Sequence, residues 1–324
     1  MAMTREAERD AAIHRALDGV SPELSRVVTA LAADREHPLN MTTALDDPER
    51  RERVLDLLVE MARGEITKRE PLATYLERTP GQGPLFAPLR DGERKDAGRT
   101  ANYVATARTT DPAGAVRAYP TADERRAVSI YGRKLALAVE PAVAAEVVML
   151  AERAAVAVGV VASVSIRTKE PGGIMDKVQR MTVGSAGRGG RPEYSVGDVI
   201  DAVGGRITVA NIQALAAVLD EARKELGARI LELENLYLEP KAHDLTYRVI
   251  AMVVSIEVDK QPYTYELQLT TERASVAADL GHNTLYKIYV PVTEAGRQAI
   301  LRAKDEAAAL DQAETYAAPR SERG

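Results

Sequence analysis

The stretch IDAVGGRITVANIQALAAVLDEARKELGARILELENLYL, residues 200–238, decides the fold. Its first and last parts, residues 200–209 and 230–238, are rich in β-branched and long apolar residues, which is typical of strands. Between them, residues 211–226 repeat apolar side chains at helical spacing. The sequence therefore predicts a strand, a helix and a second strand in this order.

Three further segments have the composition of strands and complete a sheet. Residues 161–166 form a short β-branched run, and residues 247–258 and 263–270 are rich in β-branched and aromatic residues. Asp259 and Lys260 separate the last two segments, which is the length of a hairpin turn. The pattern predicts an α+β fold with a mixed sheet of about five strands, and the flanking helices are expected on one face.

Helical periodicity occurs on both sides of these strands. Helices are predicted within residues 1–34 and at about 48–62, 122–138, 141–158 and 294–315, with Thr121 and Glu124 as a capping box. Prolines and glycines interrupt residues 64–120, which are expected to be irregular. We divide the chain into an N-terminal helical and irregular region of unassigned role (1–120), a second domain (121–292), and a C-terminal helix with a frayed tail (293–324).

The composition excludes several classes of protein. The 324 residues carry a net charge of −5, which argues against a general nucleic-acid coat or a binder of anionic membranes. Cysteine is absent and the four histidines are scattered, so thiolate sites and a zinc signature are excluded. No run approaches the roughly 20 apolar residues of a membrane span, and the N-terminus has charges where a signal peptide would be apolar. We expect a cytoplasmic protein without a membrane partner.

A basic segment interrupts this acidic chain between residues 167 and 191. Its cations are Arg167, Lys169, Lys177, Arg180, Arg188 and Arg191, against only two carboxylates. Pro171 to Gly173 open a helix in which Gly173, Lys177 and Arg180 share one face. Free N–H groups at the start of the helix and the cations behind it would form a cradle for a polyphosphate. A solvated charged face is the alternative interpretation.

Two carboxylates in strand-like segments are candidates for metal binding. Asp201 begins an apolar strand, where burial is costly unless the carboxylate binds a cation, and Gly204 would allow Arg206 to reach the same side. Glu266 lies in mid-strand on a polar face with Gln268, and it could share the metal with Asp201 or accept a proton. The alternatives are a strand-end cap paired with Arg206 for Asp201, and an exposed edge-strand position for Glu266.

The order and spacing of these elements over residues 123–290 resemble the RelA/SpoT-type synthetase domain. The resemblance implies a nucleotidyltransferase-like synthetase fold that uses ATP as donor and Mg²⁺ as cofactor. It implies that ATP is bound by Arg167, Lys169, Gly173, Lys177, Arg180 and Arg206. It also implies Asp201 and Glu266 as metal ligands, which act in catalysis with Arg206. The acceptor nucleotide would be bound by Tyr247, Gln268, Lys241 and His282.

The departures from the family pattern fall mainly around the acceptor. They are Gly173, Thr246, Ala251, Thr270 and Gly281, where the family has other residues. The acceptor therefore stays open between a guanine nucleotide, an adenine nucleotide and a tRNA 3′ end, as in toxin relatives. A catalytically silent nucleotide-binding module is the alternative from another class.

The resemblance also leaves two wider expectations. His243 and Asp244 are taken as polar loop residues, so we expect a single synthetase, or a toxin-like member, without hydrolase activity. The sequence is compatible with a homo-oligomer.

Overall fold

The computed structural model describes residues 4–35, 40–78, 85–86, 122–159, 161–185, 188–191 and 194–316. Its centre is an α+β arrangement built on a five-stranded sheet. The strands of this sheet are β1 (Ala162–Thr168), β4 (Val203–Val209), β5 (Ile230–Asn235), β6 (Ile250–Val258) and β7 (Gln261–Thr271). A separate short hairpin consists of β2 (Gly184–Ser185) and β3 (Arg188–Gly189).

Helices surround the sheet. They are α1 (Arg5–Leu17), α2 (Pro22–Ala33), α3 (Asn40–Asp46), α4 (Pro48–Arg63), α5 (Leu72–Arg78), α6 (Ala122–Lys134), α7 (Glu140–Val158), α8 (Pro171–Val183), α9 (Ile212–Leu226), α10 (Glu272–Gly281) and α11 (Glu294–Thr315). Within the described ranges, none of these helices has the length and apolar content that a membrane crossing requires.

The sheet is mixed, as predicted, with the strand order β1-β4-β7-β6-β5. The central pair, β4 and β7, is parallel, whereas β1 with β4, β6 with β7, and β5 with β6 are antiparallel. The predicted hairpin turn between β6 and β7 is confirmed. Asp259 and Lys260 have φ values of 53° and 60°, and positive φ at both central residues is typical of a tight hairpin turn that matches the twist of its strands.

Several predicted boundaries differ from the structure. Residues 200–202 form a turn before β4, and Tyr247 lies before β6 instead of within it. The predicted break between helices 122–138 and 141–158 is wrong, because a π-helical segment, Leu135–Val139, joins α6 to α7. The irregular region 64–120 contains α5, and most of the rest lies outside the described residues. The division of the chain at residues 120 and 292 stays a prediction.

One face of the sheet is apolar and packs against α7 and α9. Ile207, Leu267 and Leu269 are fully buried in this layer. Gly205 lies where β4 approaches α7, and a Cβ there would come within 2.8 Å of Val147 Cγ2. The close approach explains the need for glycine at this position.

The adjacent glycines give a stability prediction. Gly205→Ala is expected to lower the free energy of unfolding by about 1–3 kcal/mol, since the added methyl group overpacks the core. Gly204→Ala is the matched control, because its Cβ would meet Arg167 Nε and the Glu266 carbonyl oxygen at an ordinary 3.6 Å. Urea unfolding of both variants checks the difference. Equal loss in the two variants would contradict the packing explanation.

The opposite face is polar, and helices border it as well. The expectation of helices on one face only is therefore wrong. Thr271, the last residue of β7, is the N-cap of α10, so the chain turns directly across the end of this face. Ser275 and Asp279 of α10 contact Arg206 of β4 from this side.

The N-terminal helices share an apolar core with α10 and α11. Buried residues of α1 to α4, such as Leu17, Val28 and Leu58, cluster with Leu280 of α10 and Ile300 of α11. The helix α11, predicted at residues 294–315, has these bounds in the structure. This packing places α3 and α4 beside the polar face of the sheet, where the candidate site lies.

Candidate active site

Three strands place polar side chains in adjacent rows on the open face of the sheet. Arg167 of β1 is opposite Gly204 of β4, which is opposite Glu266 of β7. One row further along, Arg206 of β4 is opposite Gln268 of β7. These residues lie on the floor of a cleft of about 990 Å³. A cleft of this volume is large enough for a nucleotide-sized ligand.

A chain of hydrogen bonds connects the floor residues. Arg206 Nε donates to Gln268 Oε1 at 3.1 Å, and Gln268 Nε2 donates to Glu266 Oε2 at 2.9 Å. Arg167 Nη2 lies 3.8 Å from the same carboxylate oxygen. The edge-strand alternative for Glu266 is wrong, because β7 is the middle strand of the sheet. Glu266 therefore faces the cleft from a rigid central strand.

Arg206 is held from its other side by α10. Its Nη1 donates to Ser275 Oγ at 3.2 Å and lies 3.5 Å from Asp279 Oδ1. Burial raises the pKa of Asp279, although the Arg206 cation opposes this. Asp279 Oδ2 also accepts a hydrogen bond of 3.2 Å from the backbone N–H of Met41 in α3. The N-terminal helices thus contact the cleft arginine through one carboxylate.

Asp201 lies between two lysines at the start of β4. Lys169 Nζ is 3.1 Å from Oδ2, and Lys177 Nζ of α8 is 2.7 Å from Oδ1. Burial alone would raise the pKa of Asp201, but the two ammonium groups outweigh it and hold that pKa below its usual value. Burial lowers the pKa of Lys169. The alternative interpretation, a pairing of Asp201 with Arg206, is wrong, since each has other partners.

Helix α8 begins at the rim of the cleft and carries the remaining predicted ATP-binding residues. Its N-cap residue, Glu170, lines the cleft. Gly173 is exposed, and an added Cβ would have no neighbour within 4 Å. Arg180 is exposed and forms an ion pair of 3.0 Å with Asp176 in the same helix. A role of Gly173 and Arg180 in binding ATP stays a prediction.

Two of the predicted acceptor residues, Tyr247 and His282, line the cleft beside its floor. Tyr247 lines one wall, and the ammonium group of Lys241 lies 5.7 Å from the centre of its ring while pairing with Glu234 at 3.3 Å. Burial and the nearby Glu266 carboxylate raise the pKa of Tyr247, so its hydroxyl keeps its proton at neutral pH. His282 lines another part of the cleft.

His282 belongs to a small aromatic cluster in the segment that follows α10. Its ring centre is 5.7 Å from that of Tyr286 and 6.4 Å from that of Tyr289. Burial lowers the pKa of His282, which favours the neutral imidazole at neutral pH. The cluster of His282, Tyr286 and Tyr289 therefore presents an uncharged aromatic surface to a ligand.

The structure brings together half of the predicted site residues. The cleft is lined by Arg167, Arg206, Tyr247, Glu266, Gln268 and His282. The other predicted residues, Lys169, Gly173, Lys177, Arg180, Asp201 and Lys241, lie outside its lining. His243 and Asp244 lie in a loop, as predicted, where Asp244 accepts a hydrogen bond of 2.7 Å from the Thr246 hydroxyl.

Sequence reasoning missed Ser275 and Asp279, which fix Arg206. The signal available in the sequence was Asp279 within the run from Ser275 to Leu280, which is rich in alanine and apolar residues, since a buried carboxylate requires a partner. The identity of that partner could not be read from the sequence.

Asp201 and Glu266 have the chemistry of magnesium ligands. Mg²⁺ prefers oxygen ligands and usually takes one or two carboxylates together with water and phosphate oxygens. Both residues lie towards the same end of the parallel strands, because Gly204 pairs with Glu266 and Asp201 precedes Gly204 by three residues. Among the described residues, no group of three or more His, Cys, Asp or Glu is placed to hold a metal. Binding of one magnesium ion by Asp201 and Glu266 together stays a prediction.

Comparison with known proteins finds a match to one family over part of the chain. The family model described as the region found in RelA / SpoT proteins matches residues 166–290, which include the end of β1 and all of β4, β5, β6 and β7. No curated protein matches the chain significantly.

Solved structures that match part of this chain include three bacterial proteins. Small alarmone synthetase 2 from Bacillus subtilis is 18% identical, with 59% of this chain and 95% of that chain covered and a TM-score of 0.42. A GTP pyrophosphokinase family protein from Streptococcus pneumoniae is 22% identical, with 46% of this chain and 71% of that chain covered and a TM-score of 0.35. Small alarmone synthetase 1 from B. subtilis, bound to its product pppGpp, is 19% identical, with 46% of this chain and 74% of that chain covered and a TM-score of 0.34. The family match shows that this chain contains a RelA/SpoT-type synthetase domain at residues 166–290.

Proposed function

We propose that this chain is a pyrophosphokinase, which transfers the β,γ-pyrophosphate of ATP to the 3′-hydroxyl of a purine nucleotide. The observation that carries the proposal is the connected set of Arg167, Arg206, Gln268 and Glu266 on the floor of the cleft. Transfer of a phosphoryl-type group requires cations that neutralise the phosphates and, beside them, a carboxylate that can accept a proton. The match to the RelA/SpoT family supports the same activity class.

The donor would lie against the guanidinium groups of the cleft. Arg167 is largely exposed and can move onto a ligand, and planar guanidinium groups stack on an aromatic base. Lys169 and Lys177 form ion pairs with Asp201 in this structure. When Asp201 binds a metal, the two ammonium groups would instead contact the ATP phosphates. Bound magnesium would supply charge neutralisation on the phosphates.

The transfer itself would use Glu266 and Tyr247. The acceptor base would stack on Tyr247, which would direct the ribose 3′-hydroxyl towards Glu266. The hydroxyl oxygen forms a bond to the β-phosphorus, and Glu266 accepts the hydroxyl proton. The bond between the β-phosphorus and the oxygen that bridges to the α-phosphorus breaks, so AMP leaves with that oxygen.

An acceptor panel tests this proposal. Purified full-length protein is incubated with γ-labelled ATP and magnesium together with GDP, GTP, ADP, excess unlabelled ATP or bulk tRNA, each in a separate reaction. We expect the label to appear in a purine nucleotide and AMP to be released. Label in tRNA instead would show a toxin-type reaction at the 3′ end. Nucleotide binding without AMP release would show a silent binding module and would refute the enzyme.

A further inference from the structure

A second cavity, of about 180 Å³, lies beside the cleft and is here named the side cavity. It is bordered by α3 and α4, by the polar face of β1 and β4, and by α10. Arg50 and Arg53 of α4 line it together with Ser163, Thr208 and Ser275. All of the N-terminal contributions lie outside the segment that matches the RelA/SpoT family.

Several polar groups of the side cavity have no partner within the described part of the chain. The guanidinium group of half-buried Arg50 forms no ion pair or side-chain hydrogen bond with another described residue. Ser163 and Thr208 face each other across the β1–β4 pair, and their hydroxyl groups likewise have no described partner. All three groups are only partly buried and can donate hydrogen bonds, so a ligand that accepts hydrogen bonds could contact all three.

The charges of the lining favour an anion. Arg53 pairs with Glu272 at 3.4 Å, so these two charges offset each other. Asp279 is compensated by Arg206 and accepts the backbone N–H of Met41. Arg50 is then left as the uncompensated charge of the lining. The first turn of α10 also faces the cavity, and the N-terminus of a helix favours negative charge.

We propose that the side cavity binds a phosphate group, held by Arg50 and by the hydroxyl groups of Ser163 and Thr208. The cavity is smaller than the roughly 300–1,000 Å³ of sites for drug-sized ligands, so it suits one or two phosphate groups and not a whole nucleotide. The phosphate has two conceivable sources. It is either a free anion or a terminal phosphate of a nucleotide in the neighbouring cleft, because both cavities are lined by Asp279.

Binding of pyrophosphate by isothermal titration calorimetry tests this proposal without any catalytic readout. Full-length wild type is compared with Arg50→Gln, with Thr208→Val, and with Arg51→Gln as the matched control on α4 outside the cavity. Loss of a charged hydrogen-bonding partner is expected to weaken binding about tenfold or more in Arg50→Gln. Thr208→Val should weaken it to a smaller extent, and Arg51→Gln should bind like wild type. Thr208→Val provides the test if Arg50→Gln does not fold.

A second titration, with GDP or ADP saturating the cleft, distinguishes the two sources. Pyrophosphate that still binds, with Arg50 needed for its affinity, identifies a free anion. Displacement of pyrophosphate by the nucleotide, together with weaker nucleotide binding in Arg50→Gln, identifies a terminal phosphate of the nucleotide. Equal affinities of wild type, Arg50→Gln and Thr208→Val for pyrophosphate and for the nucleotide would overturn the site. The result does not depend on whether the protein is a pyrophosphokinase.

Discussion

Glu266→Gln is expected to reduce the rate of AMP release at saturating substrates by about 10³-fold, the scale on which loss of one electrostatic group at a reacting centre acts. Glutamine keeps the shape of the side chain, and its carbonyl oxygen can still accept the hydrogen bond from Gln268. The substitution therefore leaves the cleft floor intact. It removes the negative charge that would bind a metal and the base that would accept the 3′-hydroxyl proton.

The control for this variant is Glu257→Gln. Glu257 is exposed on β6, where it pairs with Pro262 near the hairpin turn, far along the strands from Glu266. The rate of AMP release by Glu257→Gln should equal that of wild type. Binding of ATP to Glu266→Gln should persist, because the arginines of the cleft are unchanged. A rate for Glu266→Gln within a few-fold of wild type would exclude both assigned roles.

The largest effect on stability is expected at Asp311, a fully buried carboxylate of α11. Its oxygens accept from the Thr271 hydroxyl at 3.2 Å and from Arg273 Nη1 at 2.9 Å. Arg273 also contacts Glu60 of α4 at 3.3 Å and Glu314 at 3.1 Å. The cluster therefore ties the N-terminal helices and α11 to the end of β7.

Asp311→Ala should lower the free energy of unfolding by about 3 kcal/mol. The substitution leaves the buried hydroxyl and part of a buried guanidinium group without an acceptor, and removal of one member of a buried ion pair costs this much. Denaturant unfolding gives the value. Arg302→Ala, an exposed position on the same helix, should change it by about 0.5 kcal/mol or less. If Asp311→Ala lowers the free energy of unfolding no more than Arg302→Ala does, the cluster does not join the N-terminal helices and α11 to β7.

The sequence was sufficient for the sheet and for part of the site. Alternation of apolar and polar residues in residues 263–270 correctly placed Glu266 and Gln268 on one polar face, because the side chains of a strand alternate. Asp201 was found because a carboxylate entering an apolar strand requires a cation. The side chains that pair with it in the structure were not identified, however. The two lysines that hold it lie 32 and 24 positions earlier in the chain, and periodicity carries no information on such pairing.

The part played by the N-terminal region could not be predicted. Arg50 and Met41 lie beside the polar face only because apolar stripes of α1 to α4 pack on α10 and α11. Each stripe predicts a helix with a buried side, but it does not identify the partner. The contact between Met41 and Asp279 joins residues 238 positions apart, so it depends on the tertiary fold.

The most direct measurement is a time course of the reaction products by phosphorus NMR, with wild-type protein, ATP, magnesium and the preferred acceptor. Pyrophosphate transfer predicts one AMP for each acceptor molecule that gains a diphosphate, and no accumulation of ADP when the acceptor is a guanine nucleotide. Formation of ADP with a singly phosphorylated acceptor, or ATP consumption without any modified acceptor, would contradict the account.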